Sequence, residues 1–288
     1  MKLTKDSNIL IVGLGLLGGS YAKALKKKGY KVSAITKDQS SVDYALENGI
    51  IDYGTTEVEK ELVASADITI FALYPTVFLR WIETYGNLFK CGAVITDVTG
   101  VKSSIVYKVQ SILPDEVEFI SAHPMAGREV QGVENSDDSI FHDANYIVCP
   151  SEENCAEAIE LCKALGRELG FGNISVISAE EHDGMIAFLS QLTHCIAVSL
   201  MCSNDNESLV EYTGDSFRDL TRIARINENM WTELFMLNKR PLLREMDRFL
   251  NTFMELRTSL ESGDTEKMKE MMRLSTARRK LFDKEKKQ

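Results

Sequence analysis

Residues 8–12 (NILIV) form an apolar run with no alternation of inward and outward positions, the pattern of a parallel strand covered on both faces. A glycine-rich turn follows, then a helical stretch to about Lys28 that Gly29-Tyr30 closes. Residues 31–35 read as a second strand and 40–48 as a helix ended by Gly49. Further buried strands are expected at 67–71, 93–96, 117–121, 145–149 and 174–177. Helices lie between most of them, including 101–111 and 154–169. Strands alternating with helices predict a doubly wound parallel sheet, an α/β arrangement of the Rossmann type.

Past Ser178 the strand signals stop. Residues 179–203, 227–261 and 264–282 place Leu, Met, Ile and Phe at three- and four-residue spacings, the period of helices with one apolar face. An α/β domain over 1–178 is therefore expected to precede an all-α domain over 179–288. Ser178 stands where an N-cap belongs, with Glu181 placed to close a capping box. Long apolar helices in a small domain leave a face without a partner, so the helical domains are expected to pair in a homodimer. The terminal KEKKQ reads as a frayed polar end.

Composition narrows the function. A net charge of −10 over 288 residues argues against a nucleic-acid or membrane-surface binder, either of which needs a basic face. An anionic substrate would need a local cationic pocket to overcome that global field. The six cysteines form no C-x-x-C pair and read as buried, reduced thiols. The N-terminus runs MKLTKDSNILIVG straight into a strand without a signal-peptide pattern. No apolar stretch is seen to approach the ~20 residues that span a bilayer, and a cytoplasmic protein is expected. His123, His142, His182 and His194 lack metal-ligand spacing, so no metal is expected, and His142 reads as surface.

Gly13-Leu14-Gly15-Leu16-Leu17-Gly18 is a G-x-G-x-x-G placed directly after a strand and opening a helix. Gly13 permits the tight turn, Gly15 lets the backbone approach a pyrophosphate, and Gly18 lets helix and strand pack closely. The N–H groups at the helix start, from Leu16 and Leu17 onward, offer a site for the anion. At the end of the second strand, Thr36 stands where an acidic residue would bond the ribose of NAD. A hydroxyl followed by Lys37 suits the 2′-phosphate of NADP, unless Asp38 reaches back and the cofactor is NAD.

His123 follows the apolar strand 117–121, at the sheet edge where ligands bind in open α/β folds. It opens His123-Pro124-Met125-Ala126-Gly127-Arg128-Glu129, followed by Gly132-Val133-Glu134. This run resembles the signature of the prephenate dehydrogenase family. Thr96-Asp97-Val98-Thr99-Gly100-Val101-Lys102 resembles the family's preceding motif, and Ser190-Gln191-Leu192-Thr193-His194 its S-H-L-P-H segment. Phe217-Arg218-Asp219-Leu220-Thr221-Arg222-Ile223-Ala224, then Met230-Trp231, resembles its F-R-D-x-T-R-I-A and M-W. Four motifs in register across both domains are far more specific than any one of them.

The resemblance implies oxidative decarboxylation of prephenate, or of its amino analogue arogenate, with a nicotinamide cofactor as hydride acceptor. It implies that His123 is the base at the ring hydroxyl and Arg222 the clamp on a substrate carboxylate. His194 would lie near the side-chain carboxylate, Glu129 would gate the pocket and Trp231 would line it. His194 and Trp231 also read as core packing, and Glu129 as an exposed loop residue. Two departures stand out. Gly100 occupies the place of a family serine that orients the substrate hydroxyl, so Thr99 or Ser103 would have to replace it. Asp215 adds a negative charge before F-R-D, where it would face an amino group if the substrate is arogenate. With no βαββαβ pattern after the helices, no regulatory domain is expected. Two rival readings remain: a β-hydroxyacid dehydrogenase using Lys239, and a protein that binds NAD(P) without turnover.

Overall fold

The computed structural model describes residues 2–128 and 130–283. The first half builds a six-stranded parallel sheet. Its strands are β1 (Asn8–Val12), β2 (Lys31–Ile35), β3 (Tyr53–Thr55), β4 (Ile68–Phe71), β5 (Val94–Asp97) and β6 (Glu118–Phe119). They lie in the order β3-β2-β1-β4-β5-β6, so the chain reverses its winding direction at β1. Helices α1 (Leu16–Lys27), α2 (Gln39–Glu47), α3 (Lys60–Ser65), α4 (Pro75–Tyr85) and α5 (Ser103–Gln110) cross between them. The sheet divides the core in two: Ile9 and Ile11 pack on one face, Leu10 and Val12 on the other. Burial on both sides explains why β1 is apolar at every position but its first. The pattern gave no sign of β3, a three-residue strand centred on Gly54.

The expected strand at 117–121 is two strands. The chain pairs with β5 through Phe119, bends, and continues as β7 (Ser121–Pro124) in a second sheet. There β7 runs antiparallel to β8 (Asn145–Cys149), which runs parallel to β9 (Asn173–Val176). The last three strands therefore leave the doubly wound sheet, and His123 lies within β7, opposite Ile147, rather than after a strand of the main sheet. Periodicity cannot reveal the bend, because residues 119–122 are buried throughout. Helix α6 (Ala156–Leu169) covers this sheet and ends on Gly170 at φ +91°, a left-handed cap.

After β9, Ser178 forms the full capping box with Glu181 at the start of α7 (Ala179–Ile186). A π turn at Ala187–Leu192 joins it to α8 (Thr193–Cys202) without a break. The combined helix Ala179–Cys202, 24 residues, is long and apolar enough to cross a bilayer by length and composition. That corrects the expectation that no stretch approaches such a length: the polar His182, Asp183, Ser190 and Gln191 break the apolar run locally without lowering its average enough. It also buries His182, Asp183 and Gln191 within the protein, which a lipid-facing span would not explain. Next come α9 (Asp215–Thr221) and α10 (Glu228–Leu237). The helix expected over 227–261 is interrupted at Asn238, whose buried side chain serves the site described below, and resumes as α11 (Lys239–Ser262).

The chain separates into two compact units, one reaching to Lys239 and the second beginning at Arg240. The second unit holds the rest of α11 and α12 (Thr265–Lys280), joined at Gly263 and capped by Asp264. Its Leu250, Phe253, Met254 and Leu260 are exposed. All six cysteines are free. Only Cys149 and Cys162 are buried, while Cys91, Cys155 and Cys202 are exposed, correcting the expectation of buried thiols.

Candidate active site

The turn between β1 and α1 has the form a dinucleotide needs. Gly13 sits at φ +102°, and a Cβ there would meet the Ala72 carbonyl oxygen at 2.5 Å. A Cβ on Gly18 would lie 1.9 Å from the Gly13 carbonyl oxygen, so only glycine lets α1 close onto the turn. Gly15 has open space instead, with nothing within 4 Å of its Cβ position. That approach, beside the first N–H groups of α1 at Leu16 and Leu17, fits a pyrophosphate. No acidic side chain stands in the first turn to repel it. The Gly13 amide donates to the Ile35 carbonyl at 2.8 Å, tying the turn to the end of β2. Thr36 follows, half-buried, then the exposed Lys37 and Asp38.

A chain of buried groups begins at β7. Nδ1 of the half-buried His123 lies 2.8 Å from Nε2 of His182 on α7. Nδ1 of His182, a wholly buried ring, lies 2.9 Å from Asp183 Oδ1. Asp183 also accepts the backbone N–H groups of Lys102 and Ser103, each at 2.8 Å, and so caps α5. Asn238 holds the Asp183 carbonyl oxygen at 2.9 Å and Gln191 Oε1 at 2.7 Å. Beside this chain is a second buried set. The Lys102 ammonium donates to Asp97 Oδ2 at 2.9 Å and to the Ala122 carbonyl at 2.7 Å, and both ionic side chains are fully buried. Asp97 is further satisfied by the Thr99 amide and hydroxyl and by the Ser121 hydroxyl.

These surroundings set the charges. Enclosure holds the His123 pKa well below the ordinary imidazole value, and neighbouring His182 and Lys102 push the same way. Burial lowers His182 too, against the bond from its ring to Asp183. Burial pushes Asp183 up, but the His182 bond and the two amides of α5 outweigh it and leave the carboxyl below its ordinary value. Two neutral rings and one carboxylate result at neutral pH.

His194 is the second residue of α8, just after the π turn, a feature common at functional sites. Its ring stacks on Trp231 with centroids 3.7 Å apart, and its Nδ1 lies 2.9 Å from the Ser190 carbonyl oxygen. Gln191, buried in the π turn, donates to the Leu234 carbonyl at 3.1 Å. A Cβ at Gly100 would sit 3.5 Å from a Leu234 methyl and 3.9 Å from His123 Nε2. Gly100 thus lies between His123 and α10, the helix that carries both Leu234 and Trp231. The turn Arg222–Ala224 packs against α8, with Arg222 exposed.

A family model described as prephenate dehydrogenase, nucleotide-binding domain, matches residues 21–173, and one described as prephenate dehydrogenase, dimerization domain, matches 178–274. The chain belongs to the prephenate dehydrogenase family. The prephenate dehydrogenase of Bacillus subtilis is 30% identical over 275 residues, 93% of this chain and 74% of that protein. The cyclohexadienyl dehydrogenase of Zymomonas mobilis is 29% identical over 91% of each chain. The crystal structure of prephenate dehydrogenase from A. aeolicus, in complex with hydroxyphenyl propionate and NAD+, is 28% identical with a TM-score of 0.90. That likeness covers 98% of this chain and all of the other.

Membership of the prephenate dehydrogenase family displaces the β-hydroxyacid reading, and Lys239 is exposed at the start of α11. Neither expected stand-in for the family serine offers its hydroxyl. Thr99 is buried, with its hydroxyl spent on Asp97 and on the Val101 carbonyl at 3.0 Å. Ser103 is drawn to Asp183 by its amide and by its side chain. Both expectations are corrected: these residues support the site from behind. Glu129 lies outside the described residues. Asp215 bonds Arg218 at 2.5 Å, so its extra charge is already met on the surface. His182 escaped sequence reasoning. The available signal was a His-Asp pair on the buried side of an apolar helix, where two polar groups need partners.

Proposed function

We propose that the protein catalyses NAD(P)-dependent oxidative decarboxylation of prephenate to 4-hydroxyphenylpyruvate in tyrosine biosynthesis, with arogenate, giving tyrosine, as the alternative substrate. The observation that carries this reading is a neutral imidazole at His123, with Nε2 facing Gly100, where no side chain intervenes, in a chain of this family. A nicotinamide dinucleotide, its pyrophosphate held at the glycine turn, would supply the hydride acceptor. His123 Nε2 takes the ring-hydroxyl proton as hydride leaves the carbon bearing that hydroxyl. The ring carboxylate departs as CO2, and its bonding pair completes the aromatic ring. Charge balance between dianionic prephenate and its products returns the proton to the new phenolate oxygen, so His123 acts first as base and then as acid.

Arg222 clamps a substrate carboxylate through two parallel N–H bonds. His194 sits near the side-chain carboxylate and Trp231 lines the pocket. Thr36 and the exposed Lys37 favour NADP over NAD, since a lysine meets a 2′-phosphate and leaves a bare diol without an acidic partner. The working unit is a cytoplasmic homodimer paired through the helical domain that begins at residue 179. A steady-state assay of cofactor reduction, with prephenate and arogenate against NADP and NAD, tests the reading. Turnover of prephenate with NADP is expected to be fastest, and no turnover of either substrate would reject it. His123→Asn is expected to fold, bind cofactor and lose kcat by ~10²-fold or more, the usual contribution of a general base.

A further inference from the structure

We propose that His182 is the positioning residue of the base: it accepts the Nδ1 hydrogen of His123 and so leaves a lone pair on His123 Nε2, beside Gly100. The inference rests on reading His123 as that base. Bond directions follow from what each group can do. The Asp183 carboxylate only accepts, and it already takes two amide hydrogens from α5. The contact at 2.9 Å therefore requires a hydrogen on His182 Nδ1. A neutral imidazole carries one N–H, so His182 Nε2 is bare and accepts. Its partner at 2.8 Å, His123 Nδ1, must carry the hydrogen, and His123 Nε2 is then the free acceptor.

The device converts a carboxylate pinned at the start of α5 into a defined lone pair two residues away. An isolated imidazole also populates the form with hydrogen on Nε2, which would offer the substrate hydroxyl a donor rather than a base. Burial and the Lys102 ammonium on the α5 side favour neutral rings, and they prevail over the opposite pull of the Asp183 carboxylate on α7 and of Asp97 on β5. On β8, burial pushes the Cys149 thiol up to about 12, so it adds no charge. A histidine that merely filled the core would require none of these bond directions.

Ring nitrogen NMR of the full-length protein, labelled in histidine and assigned with His123→Asn, reads the hydrogen positions directly. Wild type is expected to show His123 with its hydrogen on Nδ1, and His182→Ala to move it to Nε2. His182→Ala should lose kcat by ~10²-fold or more, because a catalytic histidine in the wrong tautomer costs about 10⁴-fold in the serine-protease triad. KM for substrate and Kd for cofactor should stay within ~3-fold, as expected when an interaction made only in the transition state is removed. His182→Gln keeps an acceptor and should recover at least ~10-fold of the lost rate; it also provides the comparison if the alanine variant does not fold. Hydrogen on Nε2 of His123 in wild type, or wild-type kcat in His182→Ala, would overturn the proposal. Absence of turnover in wild type would strike the function instead, and the ring spectrum would still decide the bond order.

Discussion

The two sides of the site are built differently. Behind His123, the main supporting groups are buried and bonded: His182, Asp183, Lys102, Asp97 and Asn238 are each at most 3% exposed. Arg222, by contrast, is exposed, and His194 and Trp231 are half-buried on short helices that follow the π turn. A proton-transfer atom needs fixed geometry, which satisfied buried networks provide. A carboxylate grip has to admit and release its ligand, and lightly buried segments open at low cost. On the proposed function, rigid support for a base and a looser grip for the substrate is the contrast to be broken or sharpened.

The deepest cut is expected at Lys102. Lys102→Met leaves the Asp97 carboxylate buried without its cation and the Ala122 carbonyl without its donor. Removing one partner of a buried ion pair costs about 3–5 kcal/mol. Thermal unfolding should register that as a fall in Tm of roughly 6–20 °C for a chain of this size. A fall of under about 2 °C would mean the buried support is dispensable and the contrast overstated.

Arg222→Ala cuts the other side. An exposed arginine is expected to shift Tm by less than ~2 °C, yet loss of a two-bond carboxylate clamp should raise substrate KM by ~10-fold or more with kcat within ~3-fold. An unchanged KM would take the clamp away from Arg222.

Proton linkage offers a gentler probe of the same asymmetry. Burial depresses the folded pKa of both His123 and His182 below 6.5. His123 therefore keeps its neutral form to a pH below that value, and if it is the base the acid limb of kcat/KM should lie under pH 6.5. Stability follows with a definite sign. Below pH 6.5 the unfolded chain binds protons at these rings and the folded chain resists, so the stability they confer is full above 6.5 and is lost as pH falls towards the folded values. Tm measured as pH is lowered should decline less steeply in His182→Gln than in wild type, since one of the two linked rings is gone. Equal slopes would remove His182 from the linkage.

The fold and the candidate residues of the site were legible in the sequence. The apolar run before Gly13 placed the cofactor turn, and the H-P-M-A-G and F-R-D-x-T-R motifs located His123 and Arg222 before any contact was known. What stayed hidden depends on distant segments meeting. The bend between β6 and β7 sits in an unbroken buried run, so no change of period marks it. Asn238 breaks a helix whose apolar spacing continues across it, because its amide is needed by Asp183 and Gln191, both over forty residues away. The tie between His123 and His182 spans 59 residues and two elements. Local pattern reports which side of an element is buried; it does not report which buried polar groups find one another.

The smallest effect is expected at Asp215, where sequence suggested a contact with an amino group and hence a preference for arogenate. The structure gives its carboxylate to Arg218, which also donates to the Thr213 carbonyl at 2.9 Å. Both side chains of the pair are largely in water, at 90% and 58% exposure. Exposed pairs of this kind contribute about 0.2–1 kcal/mol, and much of that is screened by salt. Asp215→Asn should therefore leave stability within ~0.5 kcal/mol and the ratio of kcat/KM for prephenate over arogenate within ~2-fold. A ratio moved ~10-fold, equal to 1.4 kcal/mol between two substrates differing in one amino group, would draw this turn into the site. The grip would then extend well beyond Arg222, and the looser side of the molecule would be setting substrate choice as well as affinity.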